Sequence, residues 1–294
     1  MRRDSTAVGL LWIGPWIIGF AVFIALPVVL ALWYGFTDYT LLEPPIPVGL
    51  DNYTRMFGDE ILGTVLWNTA VFGVLSITLG TLLSLALATV LSHPVRFRSF
   101  WRAAVFAPSV LPLVALAVIF KLAYDPEVGI ANTFIEGALG WAGVRGPNWF
   151  GSGFWAMTAL LLMSLWGVGP AVVIYLAALR DVPRQLHEAA SIDGVGRWGR
   201  FVHVVLPMIS PVILFNVIVG IINAMQVFAV PLLLTGGGPE RTTYFHSMYV
   251  YDQAFTFGDM GYASALGVLQ FAIILMLTGL VLLAGRKFVH YRGA

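Results

Sequence analysis

Marking every Asp, Glu, Lys and Arg along the chain leaves six long charge-free stretches: Ser5–Thr37, Ile61–Val95, Ala103–Phe120, Gly146–Leu179, Phe201–Pro239 and Met260–Gly285. Each holds at least 18 residues, and about 20 apolar residues cross the hydrocarbon core of a bilayer as a helix. The runs are continuously apolar. A membrane barrel would instead alternate apolar and polar positions in segments of about ten. The pattern therefore predicts six transmembrane helices near 8–35, 63–91, 103–124, 154–179, 208–232 and 263–285. The first stretch follows Arg2 and Arg3, as a signal peptide would. Its apolar run is much longer than the roughly 7–15 residues of a signal core, so a retained span is expected.

Composition agrees with that pattern. Of 294 residues, 59% are hydrophobic and 11% charged, with a mean hydropathy of +0.86. Soluble domains run at about 45–50% apolar and about 25% charged, and disordered chains are richer still in charge. Both classes are excluded in favour of an all-α integral membrane protein, read as a single domain over 1–294. Cysteine is absent, which removes disulfides and thiolate chemistry. A net charge of +1 carries no signature of nucleic acid.

The placement of the charges says more than their sum. With six spans, both termini share a side with the loops near 92–102 and 180–207. That side carries Arg2, Arg3, Arg96, Arg98, Arg102, Arg180, Arg184, Arg197, Arg200, Arg286, Lys287 and Arg292, against Arg55, Lys121, Arg145 and Arg241 opposite. Twelve against four predicts cytoplasmic termini.

Several chemistries lack their residues. The phosphate loop needs Gly-x-x-x-x-Gly-Lys-Ser/Thr, and neither Lys121 nor Lys287 stands in that setting, so no nucleotide site of that kind is expected. Ion-coupled carriers place ionisable groups within their spans, and these spans are nearly free of them. His93, His187, His203, His246 and His290 fall in predicted loops or at span ends, which argues against intramembrane hydrolysis. No enzyme activity and no metal site are expected.

The informative segment is the cytoplasmic loop 180–207. Asp181 and Pro183 suit a helix start, and Gly194 suits a helix stop. The helix between them, about ten residues, is too short to be stable alone and needs packing. Ala189 and Ala190 offer a surface that another protein could approach closely. Glu188 and Asp193, with Arg184 nearby, could make polar contacts at its edge. On composition alone, a solvated connector helix explains the segment equally well.

The wording of the segment goes further. Glu188-Ala189-Ala190, then Asp193-Gly194, Phe201, Leu206-Pro207 and Pro211, resembles the EAA loop of ABC importer permeases over about 24 positions. Asn68-Thr-Ala70 resembles the start of the permease core. Thr235-Gly-Gly-Gly-Pro239, Tyr251, Ala254-Phe255, Gly261-Tyr-Ala-Ser-Ala265, Gly129-Ile-Ala-Asn132 and Asn148-Trp149 are similar to the branch importing carbohydrates and glycerol phosphates. Val195 departs mildly, standing where the family often has Ala. The resemblance implies the type I ABC importer permease fold in its compact six-span form, in a bacterial or archaeal cytoplasmic (inner) membrane. It implies a partnership with a second permease subunit, two ATPase subunits and an extracytoplasmic solute-binding protein. ATP and Mg would be held by the partner ATPase, with no cofactor on this chain. Glu188, Ala189, Ala190, Asp193, Gly194 and Pro207 would couple ATPase closure to transport.

Candidates for the path lie in the fifth span. Asn216, Gly220 and Asn223 share one helical face, with Gln226 three positions on. Uncharged amides would suit a neutral, hydroxyl-rich solute such as a sugar, although interhelical hydrogen bonding and close packing at Gly220 explain them as well. Ser164 and Trp166 in span four and Gln270 in span six are weaker candidates of the same kind. The alternatives are a permease for glycerol phosphate or another small polar solute, and an ATP-independent secondary carrier.

Overall fold

The computed structural model describes residues 6–288; Arg2, Arg3, His290 and Arg292 lie outside it. Among the described residues, four helices are long and apolar enough to cross a membrane unbroken: Leu11–Tyr34, Glu60–Ser92, Arg197–Met225 and Met260–Lys287. Two further apolar segments are bent pairs, Arg98–Val110 with Leu113–Ala123 at 103° and Gly153–Trp166 with Gly169–Arg180 at 46°. Counting each pair as one span gives six.

The breaks differ from the continuous helices expected over 103–124 and 154–179, and proline explains both. Leu111 precedes Pro112 and takes an extended ψ of 138°, because the pyrrolidine ring disfavours helical backbone in the residue before it. Pro170 has no N–H to return to Trp166, and the first helix of the second pair ends at Gly167. Two other prolines are absorbed without a break. A π-turn over Ala21–Ala25 precedes Pro27, and another over Phe201–Val205 precedes Pro207. In each, the closing amide reaches back five residues, from Leu26 to Ala21 and from Leu206 to Phe201. The wider turn makes room for a ring that would crowd an ordinary one. The helix of the fifth span consequently begins at Arg197 and ends at Met225, and Ala229–Leu234 forms a separate short helix.

Two compact units emerge. One comprises 6–62 and 249–272. Its connecting segment carries a two-residue antiparallel pair, Thr37 opposite Pro47 and Asp38 opposite Ile46. Buried Asn52 donates from Nδ2 to the carbonyls of Gly35 (3.2 Å) and Thr37 (2.8 Å). Gly261 donates its N–H to Tyr39 O at 3.0 Å. Asp59 is the polar hub of this unit. Its carboxylate accepts from the hydroxyls of Tyr249 and Tyr262 and from the amides of Ile61 and Leu62. Beside it, Arg55 pairs with Asp259 at 2.6 Å and lies 3.9 Å from the centre of the Tyr262 ring.

Burial by itself would raise the Asp59 pKa, but the four hydrogen bonds outweigh it and hold the carboxyl below its ordinary value. The Tyr249 hydroxyl is pushed up to about 12, first by burial and then by donating to that carboxylate. A depressed carboxyl stabilises the fold above its unfolded pKa of about 3.9 and loses that contribution as pH falls through the folded value. The melting temperature of the purified chain should therefore be insensitive to Asp59 near neutrality and fall with acid below about pH 4. An Asp59→Asn variant should show a shallower acid limb in tryptophan-fluorescence melts. Parallel acid limbs would remove Asp59 from the explanation.

The other unit comprises 63–248 and 273–288. One apolar cluster gathers Phe72, Leu116, Leu160, Met163, Phe245 and Met248, and a second gathers Leu85, Val172, Tyr175, Leu176, Val205 and Ile209. Polar anchors tie its loops to the helices. Asn68 Nδ2 donates to the carbonyls of Arg241 (2.7 Å) and Tyr244 (3.1 Å). Thr69 Oγ1 accepts the His246 amide at 3.0 Å. Asn132 donates to the carbonyls of Pro126 and Pro147, both at 3.1 Å, and accepts Trp149 Nε1–H at 2.8 Å. Asn68, Asn132 and Trp149, singled out by resemblance, thus have structural work inside this chain.

Candidate coupling helix and inner cavity

The loop after Arg180 folds as a nine-residue helix, Arg184–Ile192. Its stop is as expected. Gly194 has φ +72°, its N–H reaches Ser191 O at 3.2 Å, and Val195 N–H reaches Ala190 O at 2.9 Å. These two bonds form the paired closure that glycine permits at a helix C-terminus. The start is different. Asp181 ends the preceding helix, its N–H bonded to the carbonyls of Ala177 and Ala178, and Pro183 occupies the N-cap with no side-chain hydrogen bond. Proline, with its fixed φ, sets the entry angle where aspartate was expected to cap.

The faces of this helix divide its residues. Glu188, Ala189, Asp193 and Gly194 are exposed. Ala190 is buried, at 7% exposure, so it does not share the exposed face with Ala189. The helix leans on the Phe201–Val205 turn, and a small side chain suits the inward position. Pro207 lies one turn on, after the widened backbone. Glu188 forms no ion pair among the described residues, which leaves its charge available to another molecule. Ile192 and Trp198 are 86% and 76% exposed. They add apolar surface beside the acidic edge, and sequence reasoning passed over them. Their signal was two large apolar residues in an otherwise charged loop.

The expected path residues lie mainly on one cavity of about 510 Å³. Asn216, Gly220 and Asn223 line it, together with Ser164. Gln226 is exposed past the helix end and lies outside the lining, as do Trp166 and Gln270. A Cβ on Gly220 would sit 3.2 Å from the Ile77 side chain, so this position also serves close helix packing. The second long helix contributes what the sequence reading missed: Ser76, Gly80, Thr81 and Ser84. Their signal was a stripe of small polar residues at spacings of four, Ser76, Gly80 and Ser84.

No Asp, Glu, Lys or Arg lines this cavity. Several of its polar side chains satisfy a donor locally. Ser76 Oγ donates to Gly73 O, Ser84 Oγ to Gly80 O and Asn216 Nδ2 to Val212 O, at 3.2, 2.6 and 2.9 Å. A hydroxyl or amide that has donated still has acceptor capacity. The walls are mainly apolar, including the rings of Phe72 and Phe215, with a few uncharged hydroxyl and amide groups set among them.

Comparisons with known proteins agree with this architecture. Over 278 residues the chain is 32% identical to the sulfoquinovosyl glycerol transport system permease protein SmoG of Agrobacterium fabrum, covering 94% of this chain and 89% of that one. It is 32% identical over 288 residues to the trehalose/maltose transport system permease protein MalF of Thermococcus litoralis, covering 97% and 96%. In fold it superposes on a chain of a bacterial ABC transporter that imports the acidic polysaccharide alginate, with a TM-score of 0.83, 22% identity and coverage of 98% and 99%. The family described as "Binding-protein-dependent transport system inner membrane component" matches residues 76–292. The widened turn before Pro207, the exposed short helix and all of the cavity lining except Phe72 fall within that match, and the chain belongs to this family of inner membrane transport components.

Proposed function

We propose that this chain is the membrane-spanning subunit of an ATP-driven importer, forming half of the path for a mono-, di- or oligosaccharide. The observation that carries this reading is the Arg184–Ile192 helix, closed at Gly194, with an unpaired exposed carboxylate beside exposed Ile192 and Trp198. A short helix presenting both charge and apolar surface fits the docking groove of a separate ATPase, which would hold ATP and Mg. The excess of arginine on the side that carries this helix supports a cytoplasmic placement, in a bacterial or archaeal inner membrane. The further partners are a second permease subunit and an extracytoplasmic solute-binding protein. The similarity to a structure containing a pentasaccharide-bound periplasmic protein supports the latter.

The sugar reading is supported by the uncharged cavity with its few hydroxyl and amide groups and by relatives whose names specify trehalose, maltose and lactose. Weak acceptors orient hydroxyls without holding them, as a transit site requires. One net hydrogen bond is worth about 0.5–1.5 kcal/mol. Asn223→Leu should then reduce sugar uptake in vesicles about three- to tenfold, with membrane levels of the chain unchanged. Gln226→Leu should leave uptake intact. Equal effects of the two variants would move the path away from this cavity. A mild-detergent pull-down tests the assembly: the tagged chain should bring down an ATPase and a second permease. A chain that emerged alone and still moved solute without ATP would establish the secondary carrier instead.

A further inference from the structure

A second cavity, of about 230 Å³, shares no lining residue with the proposed path. Along one side runs a single face of the Gly169–Arg180 helix: Gly169, Val172, Val173, Leu176, Ala177 and Arg180. These eleven steps of helix make a slot about 16 Å long. The opposite wall is Leu91, Val105 and Arg102. The slot is thus apolar along most of its length, with guanidinium groups from two different helices.

The arginines are incompletely partnered. Arg102 Nε is buried and makes no hydrogen bond among the described residues, and its Nη2 lies 3.5 Å from Leu91 O. Arg180 forms neither an ion pair nor a side-chain hydrogen bond among them. Arg98 stands close by, spent on the carbonyls of Leu91 and Ser92 at 2.8 and 2.9 Å. Clustered like charges beside an apolar slot are costly unless an anion joins them. These arginines also belong to the basic side of the membrane, where headgroups of the inner leaflet lie and basic pockets between helices take anionic lipids.

We infer that this slot binds an anionic phospholipid, its phosphate between Arg102 and Arg180 and one acyl chain along Val172, Val173 and Leu176. The inference does not depend on the substrate. It requires only that the chain sits in a membrane.

Native mass spectrometry of the full chain, purified in mild detergent with whatever subunits accompany it, tests the assignment. The probes are dioleoylphosphatidylglycerol, dioleoylphosphatidylcholine with the same tails, and inorganic phosphate. Phosphatidylglycerol should bind more tightly than phosphatidylcholine. Arg180→Gln, at an exposed site, should weaken phosphatidylglycerol about fivefold, the effect of one arginine near an anionic surface, and hardly change phosphatidylcholine. Ala177→Phe, which fills the slot from an exposed position, should weaken both lipids. Equal binding of the two lipids by the unaltered chain overturns the inference, as does phosphatidylglycerol binding that neither variant changes. Competition by inorganic phosphate with no effect of Ala177→Phe assigns the arginines to a free anion and also overturns it. Binding that appears only after accompanying subunits are stripped away assigns the arginines to a partner protein and overturns it too.

Discussion

Glu188→Lys should abolish most ATP-driven uptake while leaving the chain folded and in the membrane. The side chain is exposed and forms no ion pair among the described residues, so its exchange should change stability by no more than about 0.5 kcal/mol. On the proposed coupling role, what it would remove is a contact to another molecule. Coupling free energies of about 1–3 kcal/mol correspond to about 5–150-fold in the coupled equilibrium, and reversing a charge at the contact should reach the upper half of that range. Gly194→Pro should act by a different route. It forces φ to about −65° where the backbone has +72°, and it removes the N–H that closes on Ser191. The helix would lose its end and the Asp193 side chain its direction. Uptake and ATP hydrolysis measured side by side in reconstituted vesicles check both variants. Normal transport by either would refute the coupling role of this helix.

Gly261→Val should be the most destabilising single change in the unit built from 6–62 and 249–272. A Cβ at this position would sit 2.1 Å from Thr37 O and 3.1 Å from Tyr39 N. Both are backbone atoms held by neighbouring hydrogen bonds, including the one from Gly261 N–H to Tyr39 O. Overpacking costs about 1–3 kcal/mol, and losing that bond adds about 1 kcal/mol. The sum is a large part of a typical folding stability of about 5–15 kcal/mol. Gly267→Ala is the control, since nothing lies within 4 Å of its Cβ and alanine favours a helix by about 1 kcal/mol over glycine. Thermal melts in detergent should separate the two variants widely. Similar melting temperatures would show that Thr37 and Tyr39 yield more readily than their bonding suggests.

Much of this was legible in the chain because it depends on local pattern. Long apolar runs locate the membrane helices, and Gly194 marks a helix end because only a residue tolerant of positive φ fits there. The prolines were equally visible but ambiguous in effect. Pro112 and Pro170 break helices, whereas Pro27 and Pro207 are accommodated by widened turns, and nothing in a linear apolar run distinguishes the two outcomes. Asp181 had the right chemistry for a cap, but Pro183 already occupied the position. Ala189 and Ala190 read alike, yet helical rotation buries one and exposes the other. The Asp59 hub was out of reach. Its tyrosine partners lie 190 and 203 residues away in sequence, and no periodicity connects positions so far apart.

The same separation bears on how the protein is made. The unit containing Asp59 draws on both 6–62 and 249–272, so its first part must wait while the intervening residues are synthesised. At about 5–20 residues per second, that wait lasts on the order of 10–40 s. Throughout it, Asn52 and Asp59 are already in place, while Tyr249, Tyr262 and the Gly261 amide do not yet exist. Neither unit is complete until the last long helix is made, and the early segment is secured only as that helix enters the membrane.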